Sequence, residues 1–260
     1  MDIIICVKQA LDSTQDIRLT EEGRIYEKGL SYVLNDWDNY ALEEALLTKE
    51  KLSGSLTAIT VGPERADQVL KECLAKGADK AIRIWDRAIE GSDGHALAGI
   101  LCEVIKRMKY DLILAGAQAE DDGCAHVGPA IAQILGIHHA TMITKIRIQS
   151  GKTRVHRELE GGFEEVLEVD LPAVFTIQTG INKPRYPSLK GIKRAMKEEV
   201  KMMGLKDIGL CSDDVGEAGS ATRVEQLYLP QIERFAEILE GKPDETAAAL
   251  SHILKDRGYI

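Results

Sequence analysis

Short apolar runs alternate with amphipathic segments along the first half of the chain. The strand-like runs occupy residues 2–8, 56–61, 80–85 and 111–115. Apolar residues at helical spacing predict helices at 41–49, 66–74 and 97–108, and a fourth helix that ends at Gly136. Because strand and helix alternate four times, the sequence predicts an α/β fold, with a parallel sheet, helices on both faces and right-handed crossovers.

The remaining sequence predicts a hairpin, one more strand and a long arm. Residues 144–148 and 152–158 would form the hairpin about Ser150 and Gly151, and residues 173–178 a buried strand. We therefore place an α/β domain at residues 1–190. Residues 191–260 are predicted to be an extended arm with short helices at 232–239 and 247–254. Such an arm cannot bury its own apolar face, so we expect it to pack on a partner subunit.

Composition and charge exclude several classes of function. The formal net charge of -9 makes nucleic acid a poor partner for the chain as a whole. No apolar run reaches the roughly 18 residues that span a bilayer, and we expect a cytoplasmic protein. The five cysteines are odd in number and form no C-x-x-C pair, which favours free thiols. No ligand cluster is evident, so no metal site is predicted.

The loop after the fourth strand is the first candidate for a ligand site. In open parallel sheets, ligands bind beyond the carboxyl ends of the strands. Residues 116–128 follow such an end, and the helix that begins there offers free N–H groups to a phosphate. Without a G-x-G-x-x-G or P-loop sequence, a nucleotide loop and an acidic surface loop both stay open. A nucleophilic role for Asp122, Cys124 and His126 is less favoured, because their spacing assures no mutual geometry.

Two further segments carry side chains that the fold alone does not require. Residues 35–38 place Trp37 among carboxylates, where its ring packs either on a planar ligand or over a core edge. Residues 183–201 hold seven Lys and Arg against two Glu, a local charge of +5. Leu189 in this segment is either an anchor for a partner or folded back on its own domain, and the residues alone favour the second.

Taken in order, these segments resemble the beta subunit of electron-transfer flavoproteins over nearly the whole chain. Residues 4–9 resemble the family's N-terminal V-K-Q strand, and residues 35–45 resemble N-P-F-D-x-Y-A-L-E-E-A. The loop from Gly116 is similar to G-K-Q-A-x-D-D-D-x-x-Q-V-G, and residues 160–164 are similar to the turn D-G-G-x-E. Most specific are residues 182–189, which resemble the signature N-x-P-R-Y-P-S-L.

The resemblance implies a Rossmann-like fold similar to the adenine nucleotide alpha-hydrolases. It also implies a heterodimer with a larger alpha subunit that holds a redox-active FAD. The family's beta subunit binds AMP, or a second FAD in flavin-bifurcating members, with main-chain N–H groups of residues 125–127 at the phosphate. The residues expected to line the nucleotide are Cys6, Asn35, Asp36, Trp37, Asp38, Val61, Gly116, Ala117, Gln118, Ala119, Glu120, Asp121, Asp122, Gly123, Cys124, Ala125, His126 and Val127.

The resemblance also implies a docking segment for redox partners. Residues 186–196 are similar to the family's recognition loop, where Leu189 matches the anchoring leucine and Tyr186 and Ile192 flank it. The expected partners are donors of the acyl-CoA dehydrogenase type and a downstream acceptor such as an electron-transfer-flavoprotein:quinone oxidoreductase. No residue is needed as an acid, base or nucleophile, so we expect an electron carrier rather than an enzyme by itself.

The sequence departs from the family pattern in the nucleotide loop. Ala117 replaces a Lys or Arg, Gly123 an Asp and His126 a Gln, while Asp36 replaces a Pro. Residues 86–93 resemble the D-R-A-F-x-G-A-D of bifurcating members, whereas the turn at 160–164 resembles non-bifurcating members. We predict AMP. Two alternatives stay open: a bifurcating subunit with a second FAD that oxidises NADH, and a stand-alone AMP- or ATP-binding module.

Overall fold

The computed structural model describes residues 1–149, 152–230 and 236–260. Its strands are β1 (Asp2–Cys6), β2 (Gln9–Leu11), β3 (Tyr32–Leu34), β4 (Ser55–Val61), β5 (Lys80–Ile84), β6 (Leu112–Gly116), β7 (His138–Gln149), β8 (Lys152–Glu158), β9 (Glu164–Asp170), β10 (Ala173–Ile177) and β11 (Lys201–Met203). Its α-helices are α1 (Asp36–Leu52), α2 (Asp67–Lys76), α3 (Gly94–Ile105), α4 (Val127–Leu135), α5 (Leu189–Lys197), α6 (Leu205–Ile208), α7 (Gly216–Gly219) and α8 (Pro243–Asp256). The chain divides into two compact units. The first unit comprises Met1–Ile17 and Glu27–Glu225, and the second comprises Arg18–Tyr26 and Gln226–Ile260.

The first unit is built on a largely parallel sheet. In the described part of the chain, its nine strands run in the order β11-β5-β4-β1-β6-β10-β7-β8-β9. The pairs from β11 to β7 are parallel, and β7, β8 and β9 pair antiparallel. The α/β fold predicted from the alternation is therefore confirmed. The predicted hairpin is present as β7 and β8, but its turn at Ser150 and Gly151 lies outside the described residues.

Helices cover both faces of this sheet, as the apolar pattern predicts. Ile3 and Ile5 of β1 pack in one core cluster with α1 and α2. Ile4 and Cys6 of the same strand pack in a second cluster with α3 and α4. Because the central strands are buried on both sides, they appear in the sequence as continuous apolar runs rather than as alternating patterns.

Helix α1 begins at Asp36, earlier than the predicted start at residue 41. Its apolar stripe begins only at Ala41, and periodicity therefore does not detect the first turn. Asp36 and Asp38 occupy that turn, where carboxylates interact favourably with the helix dipole. Residues 36–38 consequently belong to the helix rather than preceding it.

The first compact unit extends past residue 190, where we placed the end of the α/β domain. Helix α5 buries Ala195, and Lys71 of α2 donates to the Ala195 carbonyl at 2.9 Å. Strand β11 then adds to the sheet edge by pairing with β5, which buries Met203. A strand of three residues shows no recognisable periodicity in the sequence. Residues 201–203 were therefore predicted as part of the extended arm.

The second unit contains α8, which corresponds to the helix predicted at 247–254. The helix begins early, with Pro243 at its first position and the Glu245 side chain accepting from the Lys242 N–H at 3.2 Å. Half of the other predicted helix, residues 232–235, lies outside the described residues, and its described half, residues 236–239, is not helical. Among the helices that are described, none combines the length and the apolar character needed to cross a membrane.

Candidate functional site

A crevice forms at the carboxyl ends of β1 and β6, where the order of the strands reverses. Strands β4 and β5 lie on one side of β1, and β6 lies on its other side. The chain leaves β1 toward α1 on one face and leaves β6 toward α4 on the opposite face. The two loops therefore diverge at this point, which is where open α/β sheets bind ligands.

Asp38 joins the two sides of the crevice. Its Oδ2 accepts the Lys8 N–H after β1 at 2.7 Å, and its Oδ1 accepts the Gly116 N–H at the end of β6 at 2.8 Å. The side chain is buried, and this burial raises the pKa of Asp38 to about 6, although both backbone N–H groups act in the opposite direction. A carboxyl in this position fixes the width of the crevice.

Asn35 and Glu120 fasten the acidic loop to the start of α1. Asn35 Nδ2 donates to the Gln118 carbonyl at 2.9 Å, and Asn35 Oδ1 accepts the Glu120 N–H at 3.0 Å. In return, Glu120 Oε1 accepts the Asp36 N–H at 3.0 Å. Burial, followed by the neighbouring Glu120 carboxylate, raises the pKa of Asp36. Residues that stand more than eighty positions apart in sequence thus form one wall.

Lys8, which follows β1, forms ion pairs with the outer part of the acidic loop at residues 116–128. Its Nζ lies 2.5 Å from Asp121 Oδ1 and 2.8 Å from Asp122 Oδ2. Burial by itself lowers the pKa of Lys8, but these two carboxylates outweigh it, and the pKa is raised. For Asp122 burial acts upward, yet the hydrogen bonds from Lys8 and Cys124 leave its pKa below the ordinary value. Lys8 was not among the predicted site residues, although it lies in the V-K-Q motif.

Trp37 lies against the backbone at the end of β6. A Cβ at Gly116 would be only 2.6 Å from the Trp37 Cβ, so the close approach requires glycine there. The indole Nε1 donates to Gln178 Oε1 at 2.9 Å, and Gln178 Nε2 donates to Glu158 Oε2 at 3.0 Å. The ring is therefore held by its own chain. Gln178 follows β10, and no motif in the sequence pointed to it.

The start of α4 presents backbone N–H groups at the end of the loop. Gly123 and Ala125 have positive φ values of 61° and 56°, and His126 returns to the right-handed region before α4 begins at Val127. Within the described residues, the N–H groups of residues 125–127 donate to no acceptor. Successive N–H groups in such a turn, together with a helix N-terminus, form an anion-binding concavity.

His126 closes this end of the loop by packing on α3. Its imidazole lies so close to Gly94, the first residue of α3, that a Cβ there would overlap the ring. The nearby Asp93 caps α3 by accepting from the N–H groups of His95 and Ala96, each at 3.0 Å. No motif in the sequence indicated that His126 would meet Gly94.

The remaining predicted residues form the walls and rim of the site. Cys6 is buried, and burial raises the pKa of its thiol, so the residue contributes packing rather than a reactive group. Ala117 is also buried, and its N–H donates to the Ile177 carbonyl at 2.9 Å. Val61 ends β4 beside β1, whereas residues 121–126 are exposed. The structure thus gathers the predicted nucleotide residues at one edge of the sheet.

The arrangement does not support nucleophilic catalysis by Cys124. Its Sγ lies 3.6 Å from the Asp122 carbonyl, and His126 Nδ1 lies 3.3 Å from the Cys124 carbonyl rather than from the thiol. Burial and then the Asp122 carboxylate raise the pKa of Cys124, which disfavours a thiolate. The described ranges also contain no group of His, Cys, Asp and Glu arranged to hold a metal ion.

The predicted docking residues lie on a separate surface of the first unit. Tyr186 is 92% exposed and Leu189 is 80% exposed. Along α5, Leu189, Ile192 and Met196 form one exposed apolar stripe, while Ala195 faces inward. The alternative in which Leu189 folds back on its own domain is not what the structure shows.

Comparison with known proteins decides the family. A family model described as the electron transfer flavoprotein domain matches residues 23–207. The chain belongs to the electron transfer flavoprotein family. It is 42% identical over 261 residues to the electron transfer flavoprotein subunit beta of Methylophilus methylotrophus, which covers 98% of each chain. It is 37% identical over 264 residues to subunit CarD of the caffeyl-CoA reductase-Etf complex of Acetobacterium woodii, with full coverage of both chains.

The same family includes the protein FixA of Azotobacter vinelandii. That relative is 34% identical over 249 residues, which cover 92% of this chain and 88% of FixA. The resemblance inferred from the motifs is therefore confirmed, and the matched relatives include several beta subunits. Membership in this flavoprotein family implies a role in electron transfer.

Proposed function

We propose that this chain is the beta subunit of a heterodimeric electron transfer flavoprotein and that it holds AMP in the crevice between β1 and β6. The observation that carries the proposal is the convergence of the motif residues at this crevice, with Asp38 as their common acceptor. The FAD, held mainly by the alpha subunit, would accept and release the electrons. The role of this chain is to bind the nucleotide, support the partner subunit and present a docking surface.

The main-chain donors at the start of α4 support an adenine nucleotide with one phosphate group. The unpaired N–H groups of residues 125–127 form one concavity at the start of α4, which suits a single phosphate. Lys8 is already paired with Asp121 and Asp122. The phosphate would therefore depend on main-chain donors, consistent with Ala117 in place of the family's basic residue.

A second FAD is the alternative suggested by residues 86–93. In this segment the carboxylates of Asp86 and Asp93 have partners within the chain. Asp86 accepts the Ala88 N–H at 3.0 Å, and Asp93 accepts both N–H groups of its helix cap and those of Ala221 and Thr222. Hydrogen bonding to these donors lowers the pKa of Asp93 despite some burial. These carboxylates serve to fix the turn, which supports AMP over a second flavin.

The exposed stripe of α5 supports docking by a redox partner. A leucine that is 80% exposed at the start of a helix offers apolar area without rearrangement of the chain. Lys190, Lys193 and Lys197 are exposed around the stripe. We infer a partner with an apolar pocket, and we expect donors of the acyl-CoA dehydrogenase type and a quinone-linked acceptor.

Replacement of Leu189 by alanine tests the docking role. We expect Leu189→Ala to raise the KM of the heterodimer as acceptor for a substrate-reduced acyl-CoA dehydrogenase by about tenfold or more. The expected change follows from the loss of leucine burial, worth about 1.5–3 kcal/mol, and flavin content should not change. Val166→Ala is the control, because Val166 is also exposed (46%) but lies on β9 at the far edge of the sheet. A KM equal to that of the control would contradict the docking role.

A further inference from the structure

An arginine ties the docking segment to helix α1. Arg185 Nε lies 2.9 Å from Glu43 Oε2, and its Nη1 lies 2.5 Å from Glu50 Oε1. Its Nη2 contacts both carboxylates, at 2.9 Å from Glu43 Oε1 and 3.2 Å from Glu50 Oε2. Glu50 lies seven positions after Glu43, which is about two helical turns. Both carboxylates therefore lie on one face of α1. Hydrogen bonds from Arg185 lower the pKa of Glu50.

The backbone around Arg185 is bound to the same helix. The Arg185 N–H itself donates to Glu43 Oε2 at 3.1 Å. Three residues earlier, Asn182 Nδ2 donates to the Tyr40 carbonyl at 3.0 Å and to Glu44 Oε2 at 3.1 Å. The chain is thus fixed on α1 immediately before Tyr186, which points into solvent with 92% of its surface exposed.

The two ends of the docking segment are held by different helices. At the far end, Arg194 Nη2 donates to the Leu74 carbonyl of α2 at 2.5 Å, and Lys71 of α2 donates to the carbonyls of Ala195 and Glu198. These contacts fix α5 but do not touch residues 185–188. The direction of Tyr186 therefore depends on the contact between Arg185 and α1, while Leu189 begins α5 and is also held by the contacts of α5 with α2.

We propose that Arg185 is a positioning residue for redox-partner docking, which orients Tyr186 beside Leu189 through Glu43 and Glu50. The inference rests on the docking role proposed above. Only a guanidinium has enough donors in one plane to engage both carboxylates, and lysine would meet them as a single point charge. Preorganisation of the segment lowers the ordering cost of binding, so its loss raises the KM for the partner without changing kcat.

The variants are chosen to separate positioning from general destabilisation. Glu43 is only 5% exposed, and Arg185→Gln leaves its carboxylate without a counter-charge, which endangers folding. Arg185→Lys keeps the positive charge, and Glu50→Gln removes only the exposed carboxylate. Arg157→Gln is the matched control, because Arg157 pairs with Glu165 in the β8–β9 hairpin and has a side chain 30% exposed, against 31% for Arg185.

Two measurements on the full-length chain, purified with its alpha subunit, test the proposal. In amide hydrogen exchange followed by mass spectrometry, we expect Arg185→Lys and Glu50→Gln to accelerate exchange several-fold at the N–H of residue 185, which donates to Glu43, and Arg157→Gln to leave it unchanged. With substrate-reduced acyl-CoA dehydrogenase as the probe, the same two variants should raise KM and leave kcat unchanged. The double variant should match Arg185→Lys alone, since both changes break one contact.

Each outcome decides a distinct point. Exchange at the N–H of residue 185 that equals the wild-type rate in both variants would overturn the positioning role, as would additive effects in the double variant. If the wild-type heterodimer accepts no electrons from the dehydrogenase, the proposed donor class fails, while hydrogen exchange still decides the role of Arg185. Faster exchange with an unchanged KM would show that the fixed conformation of the docking segment does not contribute to partner binding. This result would also overturn the proposal.

Discussion

At the scale of single residues, Asp38 has the largest structural consequence in the crevice. It accepts N–H groups from the ends of two neighbouring strands, at 2.7 Å and 2.8 Å, while almost fully buried. Burial disfavours the charged carboxylate, and its pKa rises from an ordinary 3.8 to about 6. Because the folded chain binds this proton more tightly than the unfolded chain, protonation of Asp38 stabilises the fold below about pH 6.

The sign of this linkage gives a testable pH dependence. As the pH rises from about 4 to about 7, the stabilisation from Asp38 should decrease by about 3 kcal/mol, and it should stay constant at higher pH. Asp38→Asn has no titrating group and supplies a pH-independent reference. The measurement is the free energy of urea unfolding for both chains across this range. Parallel curves for the two chains would contradict the raised pKa.

At the scale of elements, α5 depends on close backbone contact with α2. Gly191 of α5 lies over the Ala75 carbonyl near the end of α2, where a Cβ would collide with the backbone oxygen. Arg194 and Lys71 then reach across in opposite directions to the carbonyls of the other helix. Such contacts add donors to carbonyls at helix ends, where intrahelical partners run out. The docking stripe is therefore carried on a firmly seated helix.

Gly191→Ala should push α5 away from α2. Overpacking of this kind costs about 1–3 kcal/mol of unfolding free energy, and we expect KM for the redox partner to rise as well. Gly99→Ala is the control, because Gly99 lies inside α3 with open space around its Cα. In that position alanine should be neutral or stabilising by up to about 1 kcal/mol. Chemical denaturation of both variants decides the point, and equal stabilities would contradict the packing role of Gly191.

The elements that the sequence predicted well are those with long periodic patterns. Helices α2 and α4 and the central strands lie where their apolar spacing placed them, and α3 lies three residues earlier than predicted. Strand β11 was missed, since its three residues acquire their partner, β5, only in the folded chain. The start of α1 was placed late, because its first turn is acidic rather than apolar. Local pattern therefore predicts elements that bury a regular face, and tertiary pairing decides the rest.

At the scale of the whole first unit, α1 connects the two functional surfaces. Its first turn carries Asp36 and Asp38 into the crevice, and its later turns carry Glu43 and Glu50 to Arg185. The helix spans 17 residues as one continuous element. Crevice and docking segment thus share one rigid support.

Sequence motifs identified most of the crevice but not its internal contacts. The residues from 35–38 and 116–127 were selected by resemblance, and the fold brings them to one edge. The pairing of Trp37 with Gln178 joins positions 141 residues apart, and Lys8 meets Asp121 across 113 residues. Such pairs depend on strand order and register, which no local motif encodes. The packing of His126 on Gly94 has the same origin.

We expect this chain to carry a nucleotide without redox activity and to pair with one flavin-bearing subunit. The most direct measurement counts FAD and AMP in the chain purified together with its alpha subunit. We expect one FAD and one AMP per heterodimer. Two flavins per heterodimer with no AMP would contradict it in favour of a bifurcating subunit, and a stable flavin-free monomer would contradict the carrier role altogether.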